Sequence, residues 1–150
     1  MKPRSGADSR CSHPENAPSR WVFSYDVAHE RVVEMDTWLN SLDFFVRNHY
    51  LGEIDGLFED AAAGKSVDVG NAKTPLKPVR MDPDLYELRL QVLQRKLRFY
   101  HGEPPSHPSV LVRLHKHIKR TWPDGKVSQA GSHRDQEEQI EFAISRYRFT

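Results

Sequence analysis

The sequence predicts an α+β fold: a small twisted antiparallel β-sheet, two N-terminal helices packed on one face, and a short C-terminal helix. Three observations predict it. From Leu85 to Arg120 apolar residues alternate with polar or basic ones, the period of half-buried strands. From Val32 to about Ala63 apolar residues recur at three- and four-residue spacing, the period of an amphipathic helix. The helical spacing returns at Ile140, Ala143, Ile144 and Tyr147.

Each element has a local reason. Residues 1–20 carry Pro3, Pro14 and Pro18 among Ser, Gly, Asn and Asp, and are expected to be a disordered leader with no fold role. The folded domain is residues 21–150. Trp21 to Tyr25 is aromatic and β-branched, a short strand. Asp26 is placed to cap a first helix, with Glu30 and Glu34 early in it to suit the helix dipole. Its apolar stripe is Val32, Met35, Leu39 and Leu42, with Trp38 on the flank. Ser41 to Asp43 serves as a turn or a fresh cap for a second helix. That helix runs to about Ala63, with Phe45, Leu51, Ile54, Leu57 and Phe58 as its buried stripe, and Gly64 stops it.

Gly64-Lys65-Ser66 matches the end of a phosphate-binding loop, but the earlier glycine and the preceding strand are absent, and the helix comes before it. It is not read as such a loop. Pro75 to Met81 is compatible with an edge strand, where proline is tolerated. In the meander that follows, Leu85, Glu87, Arg89 and Gln91 take one face, and Tyr86, Leu88, Leu90 and Val92 the other. Gln94-Arg95 is expected as a tight connection, and Gly102 to Pro108 as a loop. Pro123-Asp124-Gly125 marks a turn, after which Ser132 or Asp135 opens the closing helix.

Composition narrows the function classes. The net charge is only +1, but it is segregated: Asp26 to Asp60 holds 9 acidic and 2 basic residues, and Lys65 to Arg134 holds 14 basic and 6 acidic. A cationic surface on one part of the molecule favours an anionic partner. The single cysteine, Cys11, has no internal disulfide partner, which fits a reducing compartment. No apolar run approaches the length of a membrane span, and no secretory signal is visible. A soluble, cytoplasmic protein without membrane contact is expected.

The order of elements, read with the words Leu85-Tyr86-Glu87-Leu88-Arg89, Leu97-Arg98-Phe99-Tyr100, Leu114-His115-Lys116-His117-Ile118-Lys119-Arg120 and Glu138-Gln139-Ile140-Glu141-Phe142-Ala143-Ile144-Ser145-Arg146-Tyr147, resembles the RelE/HigB superfamily of bacterial toxins, in its phage-related HigB-like branch. The Trp38 to Leu42 stretch fits as well, and the resemblance covers residues 21–150. It implies a metal-independent endoribonuclease, needing no cofactor, that cuts messenger RNA at the ribosome. It also implies a cognate antitoxin protein as partner. Such cleavage needs a base for the ribose 2′-hydroxyl, cations for the phosphorane-like transition state and an acid for the 5′-oxygen.

By motif position the resemblance implies catalytic roles for Arg89, His117, Lys119 and Tyr147. It implies RNA or phosphate binding by Arg98, His115, Lys116, Arg120 and Arg146. Each has a plainer alternative. Arg89 could pair with Glu87 or an acidic helix residue, and Arg98 could be a salt-bridge partner. Lys119 and Arg120 could form a solvated rim, and Tyr147 could be core. His115 and His117 alternate with Lys116 and so share one face of the last strand. Their spacing permits a metal, but no cysteine or acidic word accompanies it, so no metal is expected there. Two other readings stay open: a non-catalytic binding toxin of the same fold, directed at gyrase, and an inactive relic.

Overall fold

A computed structural model describes residues 4–16, 18–24, 29–66, 75–120 and 129–148. Five strands, β1 (Arg20–Phe23), β2 (Leu76–Pro78), β3 (Leu85–Val92), β4 (Arg95–Gly102) and β5 (Val110–Ile118), form a sheet in the order β1-β5-β4-β3-β2. Helices α1 (Glu30–Ser41) and α2 (Phe44–Ala62) cover one face, and α3 (Gln129–Arg148) packs on the other. The α+β class is as the sequence predicts.

The sheet is mixed rather than wholly antiparallel, because β1 lies parallel to β5. Hairpins force β3, β4 and β5 to alternate. The connection from β1 to β5 passes through both helices and three strands, so no tight turn dictates its direction. The hairpin turn is Leu93-Gln94, one residue before the expected Gln94-Arg95. Both residues have positive φ, +48° and +71°, the sense of twist a two-residue hairpin loop requires.

Helix starts and stripes also differ from expectation. The cap of α1 is His29, whose side chain accepts from Arg31 N; Asp26 lies outside the described residues. Asp43 caps α2 by accepting from Val46 N. The buried stripe of α2 is Tyr50, Leu57, Phe58 and Ala61, with Val46 and Ile54 beside it, while Phe45 and Leu51 are exposed. Apolar residues lie on more than one side of this helix, so spacing alone left its rotation undetermined. Gly64 does end it, at φ +73°, and a side chain there would also strike the His13 carbonyl. The closing helix is 20 residues long, not short, and begins before Ser132.

The larger correction concerns the leader. Residues 4–16 form three short 3-10 turns, Gly6–Asp8, Arg10–Ser12 and Pro14–Asn16, packed against the end of the sheet. Cys11 is fully buried. The Arg4 guanidinium donates to four carbonyls, those of Val79, Asp82, Pro83 and Leu85, and Arg10 donates to those of Pro104, His107 and Val110. The leader has few apolar residues, of which Cys11 joins the main core, and most of its anchoring comes from polar bonds such as those of Arg4 and Arg10, which hydrophobic patterning does not register.

The main core joins Met35 and Leu39 of α1 and Tyr50, Leu57 and Phe58 of α2 to Leu88, Leu97, Phe99 and Leu111 of the sheet. The second core, under α3, joins Leu85, Tyr100 and Leu114 to Ala143. Leu114 is the extra residue where the β4–β5 register slips, a bulge between Tyr100 and His101. Among the described residues no helix is long and apolar enough to cross a membrane.

Candidate functional site

Strand pairing builds a grid of side chains on the α3 face. One row is Glu87, Tyr100 and His115; the next is Arg89, Arg98 and His117; the last pairs Gln91 with Lys96, beside which Lys119 donates its backbone N–H to the Lys96 carbonyl at 2.8 Å. The first row is covered by α3: Gln139 Oε1 lies 2.7 Å from His115 Nε2, and Gln136 reaches Glu87 at 3.5 Å. Toward the hairpin the cover ends. There Arg89, Gln91, Lys96, Arg98 and Lys119, with Pro75, Leu90 and Gln94, border a cleft of about 620 Å³.

Cations outnumber anions around that cleft. Glu87 Oε1 lies 2.9 Å from Arg98 Nε and 3.6 Å from Arg89 Nε. The approach to Arg98 is an ion pair without hydrogen-bond alignment, because Arg98 Nε has no partner of good geometry. Arg89 Nη1 is buried and has no hydrogen-bond partner among the described residues. Burial lowers the Arg98 pKa, against the opposing attraction of Glu87. Burial, then the charges of Arg98, Lys96 and Arg89, also pull Lys119 below the ordinary lysine value. Among the described residues four cationic side chains, Arg89, Lys96, Arg98 and Lys119, border the cleft, and Glu87 pairs with two of them, Arg98 and Arg89, where partial desolvation makes charge interactions stronger than in water.

His117 shares the row of Arg98 but does not line the cleft. Its ring is fully buried, with Nε2 3.0 Å from Tyr100 Oη and Nδ1 3.3 Å from an Arg31 Nη2 that also donates to the Ile118 carbonyl at 2.7 Å. The same Nδ1 also lies 3.3 Å from the Ile118 carbonyl oxygen, so both ring nitrogens have polar neighbours inside the protein. Burial, reinforced by Arg31 and His115, holds the His117 pKa well below its usual value, and burial pulls His115 down to about 4. Both rings are neutral at pH 7. The expected proton transfer by His117 would need an exposed ring, and α1 seals it: Arg31 reaches past the edge of β5 and also pairs with Asp135 of α3.

The other expected residues are dispersed. Lys116 projects from the opposite face, 2.6 Å from Asp36 of α1, as strict alternation with His115 and His117 requires. Arg120 pairs with Glu34 at 3.1 Å. Arg146 donates to the Ser24 carbonyl at 2.5 and 3.1 Å. Tyr147 donates to Asp84 at 3.0 Å and lies flat against Gly102, four residues along β4 from Arg98, so it belongs to the far end of the sheet. Burial and Asp84 raise its pKa to about 12. Of the nine residues named from sequence, Arg89, Arg98 and Lys119 come together at the cleft. Sequence reasoning missed Lys96, whereas the pairing of Arg89 with Glu87 was the plainer alternative it offered. The signal was present: Lys96 and Arg98 alternate, as Glu87 and Arg89 do.

No family model, curated protein or solved structure matches this chain.

Proposed function

We propose that this protein is the toxin of a type II toxin–antitoxin pair, an endoribonuclease that binds messenger RNA through the cleft at the hairpin end of the sheet. The observation that carries the reading is the buried, unsatisfied Arg89 Nη1 beside Lys96, Arg98 and Lys119. A phosphate is the ligand such an arrangement lacks. Arg89 and Arg98 would hold the scissile phosphodiester and neutralise the phosphorane. With His117 sealed and Glu87 covered by α3 and paired with Arg98, the rate enhancement rests on these cations. Lys119, its pKa drawn downward, is the acid placed to protonate the departing 5′-oxygen. The reaction runs in the cytoplasm at the ribosome, without a metal in the cleft. A cognate antitoxin with acidic residues would silence it by covering the same cations.

Burial of both strand histidines favours a second reading, a non-catalytic toxin that uses the cleft to grip an acidic partner such as a gyrase subunit. Induced expression separates the two. The endonuclease reading expects growth arrest and discrete mRNA 5′ ends by primer extension, both abolished by Arg89→Ala. Arrest with intact mRNA transfers the assignment to the binding toxin. Abundant folded protein with no arrest rejects both.

A further inference from the structure

The far end of the sheet holds a second cluster that the cleft does not use. His101, on the face of β4 opposite Arg98, presents Nε2 to Glu103 Oε2 at 2.8 Å and to Cys11 Sγ at 3.6 Å, and Cys11 Sγ lies 3.7 Å from the same carboxylate oxygen. The three ligand atoms fall within 4.8 Å of one another, and all three residues are buried. Soft sulfur, imidazole nitrogen and carboxylate oxygen on one point is a donor set that suits zinc.

A nucleophilic relay does not account for it. A cysteine–histidine–carboxylate relay puts thiol and carboxylate on opposite ring nitrogens. Here one nitrogen, Nε2, faces both, while Nδ1 has no hydrogen-bond partner among the described residues. Burial and the Glu103 charge also push the Cys11 thiol far up, away from a reactive thiolate. Convergence of all three donors on a shared point is the arrangement of ligands. A tetrahedral zinc with ordinary bond lengths spaces sulfur from nitrogen or oxygen by about 3.6 Å, and nitrogen from oxygen by about 3.3 Å. Only the His101–Glu103 separation has to widen, by about half an ångström.

The surroundings supply an approach. A cleft of about 540 Å³ opens beside Glu103, bordered by Asp8, Glu15, Asp84, His13 and Arg10, so that its carboxylates outnumber the Arg10 guanidinium. Its carboxylates draw a cation toward the buried end. Ser9 Oγ donates to Glu103 Oε2 and holds that carboxylate in place, and water would take the fourth position on the cation. We propose that Cys11, His101 and Glu103 form a structural site for a zinc-type divalent cation that fastens the leader, residues 4–16, to the end of the sheet. Binding displaces the Cys11 thiol proton and moves the His101 proton to Nδ1. The site lies apart from the cleft and serves no step of the proposed cleavage.

Cobalt(II) titration of the tag-free full chain, after metal removal, tests the proposal directly. Wild type should take up a single equivalent with a near-ultraviolet thiolate-to-cobalt charge-transfer band, and Cys11→Ala and Glu103→Gln should lose it. Zinc should raise the thermal midpoint of wild type and protect Arg10 from trypsin, but do neither for Cys11→Ala. Absence of the charge-transfer band in wild type at saturating cobalt overturns the site, and needs no variant that must fold. A zinc shift that persists in Cys11→Ala does the same, assigning the effect to exposed histidines such as His133.

Discussion

Two ends of one strand treat charge in opposite ways. At the hairpin end of β4, Lys96 and Arg98 join Arg89 and Lys119 at the border of a cleft, and the Glu87 carboxylate pairs with Arg98 and Arg89. At the other end, on the opposite face, the Glu103 carboxylate is enclosed by the Ser9 hydroxyl, the Arg10 N–H and guanidinium, and His101. One end leaves cationic valence unspent, and the other draws its donors in around one carboxylate. Buried charge without compensation is expensive, so it persists where a ligand completes it. The enclosed end is where the chain holds itself together. Mutation should therefore split stability from binding along a strand of eight residues.

The largest effect is expected at the enclosed end. Glu103→Ala strands Ser9, Arg10 and His101 in a buried site and should cost about 3–5 kcal/mol in urea denaturation, with RNA affinity of the folded fraction unchanged. The sign with pH follows from the direction of its pKa. Because the pKa of folded Glu103 is lowered, its contribution is complete above the usual carboxylate range and disappears as pH falls through the folded value. Loss of RNA binding in folded Glu103→Ala would break the division.

The buried histidines come next. His115 has a folded pKa near 4 against 6.5 in the free residue, so the unfolded chain binds a proton in that window that the folded chain refuses. Stability should fall as pH drops from about 6.5 to about 4, by an amount on the order of 3 kcal/mol. His115→Gln should flatten the slope of urea midpoint against pH. An unchanged slope would show that the ring is hydrated rather than sealed.

Arg89→Ala should behave in the opposite manner to Glu103→Ala. Affinity for single-stranded RNA should fall about tenfold, and the salt dependence should shrink by about one phosphate contact. Folding stability should move little, since the lost bond is an ion pair shared with Arg98. The smallest effect is at the turn, where Gln94→Gly relieves a positive φ at the cleft border and should stabilise by about 0.5–1 kcal/mol while leaving the charged side chains of both ends in place. Thermal melts would read it.

Periodicity made the faces of the sheet legible, but not its partners. Glu87, Arg89, His115 and His117 share a face because alternation says so. A turn at Gln94-Arg95 would have set Arg89 across from Tyr100; the turn at Leu93-Gln94 sets it across from Arg98. The two registers keep the same residues on the same face, so pattern cannot choose between them, yet only one pairs the two arginines in a single row. Lys116 was separable from its neighbours by the same alternation. Arg31 was not legible at all, since nothing local says that a helical arginine will reach β5 and seal His117. Tyr147 and Arg146 were assigned through a helix whose position over the sheet depends on tertiary packing. The leader was illegible for a different reason: its anchors are guanidinium-to-carbonyl bonds, and the acceptors lie about 75 to 100 residues away.

That separation bears on the order of events in folding. Arg4 and Arg10 can find their acceptors only after β3, β4 and β5 have aligned the carbonyls from Val79 to Val110. Loop closure over such a distance is unfavourable until the sheet already exists. The leader is therefore a late-docking unit that opens and closes on an assembled domain. Amide hydrogen exchange should find Ser12 and His13 exchanging through a local opening far below the global unfolding free energy, while Phe99 and Leu97 exchange only through the whole.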